Sequence, residues 1–252
     1  MVVTRAHMEG RVAVVTGGAG GIGSAISRAL AEAGAQVIVT YRCSEEAAHA
    51  LVGCLPGNGH MAVRAPVEDS AVLAEVAADV EERYGRLDLL VNNAGITRFV
   101  PHDDLDALDD DLIDKIFQVN WRGPFACIRA FRQLLERSDD GLVVNVSSVA
   151  GVTGIGSNVA YCASKAALNA MTVSIARALA PRIRVVSVSP GLVDTEFVRG
   201  LDDQWREDQL AKTPLNRLAK PEDVAATVLA LATTMTYTTG CVIPLDGGRP
   251  LT

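Results

Sequence analysis

The sequence has no run of lysine and arginine, no apolar stretch of membrane-spanning length and no C-x-x-C pair. Each absence removes a class of function. With a net charge of −7 and no basic stripe, neither a nucleic acid nor an anionic membrane is expected as a partner. No apolar run approaches the ~20 residues of a spanning helix. The five cysteines, at 43, 54, 127, 162 and 241, are odd in number and show no paired spacing. That pattern fits reduced thiols in the cytoplasm better than a disulfide framework. The four histidines, at 7, 49, 60 and 102, show no ligand spacing with acids or cysteines, so no metal site is expected. The opening residues M-V-V-T-R-A-H-M-E-G-R lack the apolar core of a secretory signal, and a cytoplasmic location is expected.

What is present is ample apolar content, 49% of 252 residues, enough for one large core. Short β-branched runs at Val12–Thr16, Gln36–Thr40, Met61–Arg64, Leu87–Val91, Leu142–Val146, Ile183–Val188 and Cys241–Leu245 read as strands. Helical patterns alternate with them: 22–33, Ser44 to about 55, Asp69 to about 84, and 105–137 with a break near Gly123-Pro124. Two more follow at 158–180 and from Pro221 to about 233. Continuous apolar strands alternating with helices call for an α/β fold, a doubly wound parallel sheet with helices on both faces. No linker or repeat divides residues 1–252, so a single domain is expected. In such a sheet the loops after the strands share the carboxyl edge, where ligands bind.

One stretch, Ser148 to Lys165, carries chemistry on that edge. Tyr161 and Lys165 lie four residues apart on a helix, hence on one face. Four tyrosines and four lysines in this length give only ~0.06 chance pairs at that spacing. A free tyrosine has a pKa of about 10. A neighbouring ammonium is expected to lower it, so that the phenol exchanges a proton near neutrality. Ser148, at a strand end, suits holding a carbonyl or alcohol oxygen. Cys162, beside Tyr161, reads as a small helix residue. A second motif, G-G-A-G-G-I-G from Gly17 to Gly23, sits between a strand and a helix. That context gives a glycine run meaning, because the backbone can approach a pyrophosphate and the helix start favours its charge.

With these motifs in view, the chain resembles the short-chain dehydrogenase/reductase family along essentially its whole length. T-G-G-A-G-G-I-G resembles the family's T-G-x-x-x-G-x-G, N-N-A-G at 92–95 its sheet-stabilising loop, and P-G-L-V-D-T at 190–195 its nicotinamide-side loop. T-G-C-V-I-P-L-D-G-G at 239–248 is similar to its C-terminal strand. Ser148, not Ser147, stands thirteen residues before Tyr161, as the family's S…Y-x-x-x-K requires. The resemblance implies a Rossmann-like NAD(P)-binding domain and an enzyme interconverting carbonyls and alcohols. It implies that Tyr161 is the general acid, that Lys165 lowers its pKa and holds the nicotinamide ribose, that Ser148 orients the substrate oxygen and that Asn120 holds a relay water. It implies cofactor contacts at Gly17, Gly20, Ile22, Tyr41, Arg42, Val67, Asn93, Ala94, Gly95, Tyr161, Lys165, Pro190, Gly191, Val193 and Thr195. Among relatives the pattern is most similar to 3-oxoacyl-carrier-protein reductases. A free ketone, hydroxy compound or sugar is an equal candidate substrate, its pocket built from the loop after Ser148, residues near Phe99 and a helical lid at 195–213. Arg129 and Arg132 are candidates for docking an acidic carrier, or form a solvated helix face. The alternative is a non-catalytic nucleotide sensor or scaffold that keeps the fold.

Two positions depart from the family's pattern. Pro66-Val67 replaces the usual Asp-Val, removing a side-chain contact to adenine, and Ser189 replaces the commoner Asn, a change expected to be tolerated. The cofactor follows from the end of the second strand, V-I-V-T-Y-R-C-S. An acid there binds a ribose 2′-hydroxyl, whereas an arginine accommodates a 2′-phosphate. Tyr41 stands where NAD users carry the acid, and Arg42 follows, so NADP(H) is preferred with NAD(H) possible. Ser44 offers a further hydroxyl. Gly20, where some NADP users carry a second basic residue, and nearby Glu45 and Glu46 weigh against it. Apolar residues on the helices 105–137 and 158–180, together with the resemblance, predict a homo-oligomer, in particular a tetramer.

Overall fold

The computed structural model describes residues 8–195, 198 and 203–251. Seven parallel strands form one sheet in the order β3-β2-β1-β4-β5-β6-β7. They are β1 (Val12–Val15), β2 (Gln36–Tyr41), β3 (Met61–Arg64), β4 (Leu89–Asn92), β5 (Gly141–Val146), β6 (Ile183–Pro190) and β7 (Val242–Leu245). The helices are α1 (Gly21–Glu32), α2 (Glu45–Cys54), α3 (Ser70–Tyr84), α4 (Asp110–Phe117), α5 (Gly123–Leu135), α6 (Ala150–Thr153), α7 (Val159–Leu179), α8 (Asp203–Ala211) and α9 (Pro221–Thr233). A wide π-type turn, Gln118–Arg122, joins α4 to α5.

The alternation of side chains along a strand explains the two layers of helices. Ala13, Val15, Val37, Val39, Leu89 and Val91 face one core, shared with Leu30 of α1 and Val228 of α9. Their neighbours Val12, Val14, Ile38 and Leu90 face the other, shared with Val80 of α3, Phe131 of α5 and Leu168 of α7. A strand buried on both faces must be apolar at every position, which is how these strands read. Strand ends differ from the sequence reading by up to two residues, and all seven are present.

The helix expected from residue 105 begins at Asp110. Asp109 takes the cap, its carboxylate accepting the Leu112 N–H at 2.8 Å. Before it, Asp104 accepts the Ala107 N–H at 3.1 Å in a turn. The break expected near Gly123-Pro124 is the π-type turn just before it. Pro124 has no N–H to give to the Asn120 carbonyl, its partner in an ordinary α-helix, and the chain widens there. Residues 196, 197 and 199–202 of the expected lid lie outside the described residues, and its later part is α8.

Candidate active site

The carboxyl ends of β1, β2, β3 and β4 open into a cleft of about 790 Å³. Its floor is the glycine turn. Gly17 has φ +60°, a conformation open to glycine at no steric cost. Gly23 is fixed by packing: a Cβ there would lie 2.3 Å from the Gly17 carbonyl oxygen. Gly20 has another reason, because a Cβ would meet only that carbonyl, at 3.5 Å, and otherwise project into the cleft. The first turn of α1 carries no acidic residue and Gly20 gives no side-chain cap, so its N–H groups face the cleft unneutralised. An anion such as a pyrophosphate fits this floor. Thr16 braces it: its Oγ1 accepts from the Asn93 and Ala94 N–H groups, each at 3.0 Å. The Asn93 side chain donates to the carbonyls of Thr16 at 2.9 Å and Gly17 at 3.1 Å.

Ten of the residues expected at a cofactor line this cleft: Gly17, Gly20, Ile22, Tyr41, Arg42, Val67, Asn93, Ala94, Gly95 and Thr195. Tyr41 contributes an edge only. It is buried, packs against His49 at 6.2 Å between ring centroids, and burial together with Glu45 raises its pKa. Val67 is buried as well, and it excludes a side chain at Gly123, where a Cβ would lie 2.7 Å from its Cγ2. Ser44 begins α2 without capping it and lines the cleft. The end of β2 has no acid, as expected, but a carboxylate reaches the cleft from the next strand's loop. Glu68 lies 3.6 Å from Arg42 and 3.0 Å from Lys115. The sequence reading missed it, and its only signal was an acid directly after Pro66-Val67.

A second cluster lies beyond β4 and β5. Asn158 caps α7, accepting the Tyr161 N–H at 2.7 Å, and its amide donates to the Arg98 carbonyl at 2.7 Å. That cap fixes where Tyr161 enters. The Tyr161 phenol is close enough to Ser148 for the serine hydroxyl to act on its pKa, and the Ser148 Oγ accepts the Ala150 N–H at 3.2 Å. Ser147 is buried instead and donates to the Lys165 carbonyl at 3.3 Å. Lys165 is only 4% exposed, and its ammonium donates to the Val146 carbonyl at 2.8 Å. It lies 5.8 Å from the centroid of the Tyr161 ring.

The expected direction of the tyrosine pKa does not hold. Burial raises it, and Ser148 only partly opposes that. The ammonium is turned toward Val146, and burial depresses its own pKa to about 8. Both groups are therefore biased toward their neutral forms. Asn120 lies in the π-type turn, with its Oδ1 accepting from the Ile96 N–H at 2.9 Å. Its Nδ2 donates to the Ile96 carbonyl at 3.0 Å and to Ser164 at 3.2 Å. The side chain is thus committed to the loop after β4 and to α7. Gly95 joins the two clusters, since a Cβ there would lie 3.4 Å from Asn120 Oδ1 and 3.7 Å from Lys165 Nζ.

Pro190, Gly191 and Val193 line neither cluster. The Pro190 carbonyl accepts the Val149 N–H at 2.8 Å, Gly191 donates to Leu245 at 3.0 Å, and buried Val193 bridges to Ala219. They hold the rim from which Thr195 reaches Gly21. Ser189 is buried and its hydroxyl has no hydrogen-bond partner among the described residues. In the segments after β4 and β5, Phe99, Val152 and Ile155 are exposed apolar side chains.

Residues 17–249 match the family model described as enoyl-(acyl carrier protein) reductase. The chain is 39% identical over 247 residues to a 3-oxoacyl-(acyl-carrier-protein) reductase of Thermotoga maritima, covering 96% of this chain and 98% of that protein. A dehydrogenase/reductase structure from Sinorhizobium meliloti superposes with a TM-score of 0.90 at 34% identity, over 97% of each chain. A short-chain dehydrogenase/reductase from Brucella melitensis does so with a TM-score of 0.91 at 29% identity, over 98% and 99% of the two chains. Sequence and fold agree along nearly the whole length, and the chain belongs to the short-chain dehydrogenase/reductase family.

Proposed function

We propose that the protein reduces a ketone, with a 3-oxoacyl thioester as the leading candidate, to a secondary alcohol, and that NADP(H) is its preferred cofactor. Membership of the family makes it an oxidoreductase of CH–OH and carbonyl groups. The thioester suggestion rests on the relative named above and on the exposed apolar side chains Phe99, Val152 and Ile155 in the segments after β4 and β5. The observation that carries the reading is the Ser148–Tyr161 hydroxyl pair, with a buried lysine beside it and the glycine cleft adjoining.

When bound, the dinucleotide supplies or accepts the hydride. Gly17, Gly20 and Ile22 would hold its pyrophosphate, Arg42 a 2′-phosphate, Val67 its adenine side, and Thr195, positioned by the 190–193 rim, its nicotinamide end. Lys165 would hold the nicotinamide ribose. Ser148 positions the carbonyl oxygen. As that oxygen gains negative charge, the Tyr161 hydroxyl donates its proton to it. At neutral pH the phenol is protonated, the form that this direction needs. The reverse reaction needs the phenolate and is favoured by alkaline conditions. With the Asn120 side chain committed to Ile96 and Ser164, its main-chain carbonyl is the group left for a relay water, and Pro124 withholds that carbonyl's ordinary helical donor.

Arg42 carries the cofactor preference. One charge-assisted contact is worth roughly 1.5–3 kcal/mol, a preference on the order of 10- to 100-fold. The test is kcat/KM with NADPH and NADH for the parent and for Arg42→Ala. Preference for NADPH that collapses in the variant is expected. A parent that prefers NADH, or a variant with unchanged preference, overturns it.

A further inference from the structure

The rim of the cleft beside the end of β2 carries three charges from three separate elements. Arg42 follows β2, Glu68 lies between β3 and α3, and Lys115 sits on α4. Both cations address the same Glu68 oxygen, Lys115 by a 3.0 Å hydrogen bond and Arg42 as a looser pair at 3.6 Å. Lys115 also donates to Gln118 at 3.3 Å, and Arg122 donates to the Glu68 main-chain carbonyl at 3.0 Å. Glu68 is thus held from the α4 side, with its side chain 17% exposed, while the Arg42 side chain is 49% exposed. Burial works against the Glu68 charge, but the Lys115 hydrogen bond and the two cations win, and its pKa lies below the usual carboxylate value. Arg42 and Glu68 both line the cleft.

We propose that Glu68 is a specificity-determining residue of the cofactor site: a fixed carboxylate that competes with a 2′-phosphate for Arg42, with Lys115 setting how strongly it competes. This rests on Arg42 as the phosphate's partner. A phosphate brought to Arg42 meets a negative charge a few ångströms away, which disfavours it. A ribose 2′-hydroxyl meets no such penalty, and a carboxylate can accept its hydrogen bond. Glu68 therefore narrows the gap between the two cofactors. Lys115 offsets it by engaging the carboxylate first. Without Lys115, Glu68 turns its full charge on Arg42.

The variants Glu68→Gln and Lys115→Met therefore act in opposite directions. Glu68→Gln keeps the side-chain volume and leaves the Arg122 bond to the main chain intact. Titration calorimetry of the full chain with NADP+ and NAD+, and with the fragments 2′,5′-ADP and 5′-AMP, reads the effect without turnover. Glu68→Gln should raise the ratio Kd(NAD+)/Kd(NADP+) about three- to tenfold, the scale of one partly exposed charge contact. Lys115→Met should lower the ratio by a similar factor, and should have no effect in the Glu68→Gln background. Fragments should follow the whole cofactors. An unchanged ratio in Glu68→Gln overturns the proposal. So does equal weakening of both nucleotides, which would place the carboxylate on a part they share. Arg42→Ala in the same series separates the two readings. If it leaves the ratio unchanged, the phosphate role of Arg42 fails and this proposal with it. If it alters the ratio while Glu68→Gln does not, this proposal alone fails.

Discussion

At the scale of the residue, the site works by burial. Tyr161 and Lys165 are both pushed toward neutrality, the phenol with Ser148 beside it and the ammonium donating to the Val146 carbonyl. This has a measurable consequence for stability. In the folded chain Lys165 gives up its proton near pH 8, against a reference value of 10.5. Between those values the unfolded chain binds more protons, so the contribution of this group to stability rises with pH. Melting temperatures of the parent and of Lys165→Met, taken from about pH 7 to about pH 9.5, should move in the parent's favour as pH rises. A constant difference would mean that the lysine titrates normally. In the sequence Tyr161 and Lys165 were legible from their spacing together with the family resemblance. Their protonation was not, because it depends on where Lys165 points, and the Val146 carbonyl that receives it lies nineteen positions back on another element. Glu68 was hidden for the same reason, since its partners come from 26 and 47 positions away.

At the scale of the element, α7 and the turn before α5 position the chemistry. Asn158 both caps α7 and ties it to the loop after β4 through the Arg98 carbonyl. Asn158→Ala should cost about 1–2 kcal/mol for the cap, and more if the loop loosens. Urea unfolding measures this, and a change within about 0.5 kcal/mol would show that the cap is dispensable. The start of this helix was legible from Asn158 and the apolar pattern that follows, but not its tie to residue 98. The start of α4 was placed five residues early, because apolar Leu105 and Leu108 extend the helical pattern past a cap that only the Asp109 side-chain geometry reveals. The π-type turn was half legible. Pro124 marked an interruption, but not whether the chain would kink or widen.

At the scale of the molecule, the alternation of strands and helices determined the architecture, and every strand was legible. Strand order was not, since it depends on long-range pairing such as β1 with β4. Among the described residues no helix is long and apolar enough to cross a membrane. Trp121 and Phe125 stack nearly parallel, 6.3 Å apart, and each is 37% exposed. Val159 and Val173 of α7 are also exposed. We propose that these helix faces are covered by further copies of the chain in a homotetramer. Arg129, one of the two carrier-docking candidates, lies over the Phe125 ring at 5.9 Å and donates to Ser70 at 3.1 Å. Arg132 pairs with Glu136 on its own helix at 3.5 Å. Both are tied to neighbours on their own protein surface, which weighs against carrier docking. Light scattering should give four times the chain mass at micromolar concentration, and a stable monomer would contradict this assembly.

The central claim is that Tyr161 delivers the proton in carbonyl reduction. Its most direct test is Tyr161→Phe, assayed at 340 nm with NADPH against 3-oxoacyl thioesters and simple ketones, with the NADPH dissociation constant measured alongside. The ring still packs and only the donor is lost. Turnover should fall by roughly 10²- to 10⁴-fold, the usual contribution of general acid–base catalysis, while NADPH affinity stays within about twofold. A variant that keeps more than a few per cent of the parent's kcat on its best substrate, the ~1% scale set by that contribution, would contradict the account.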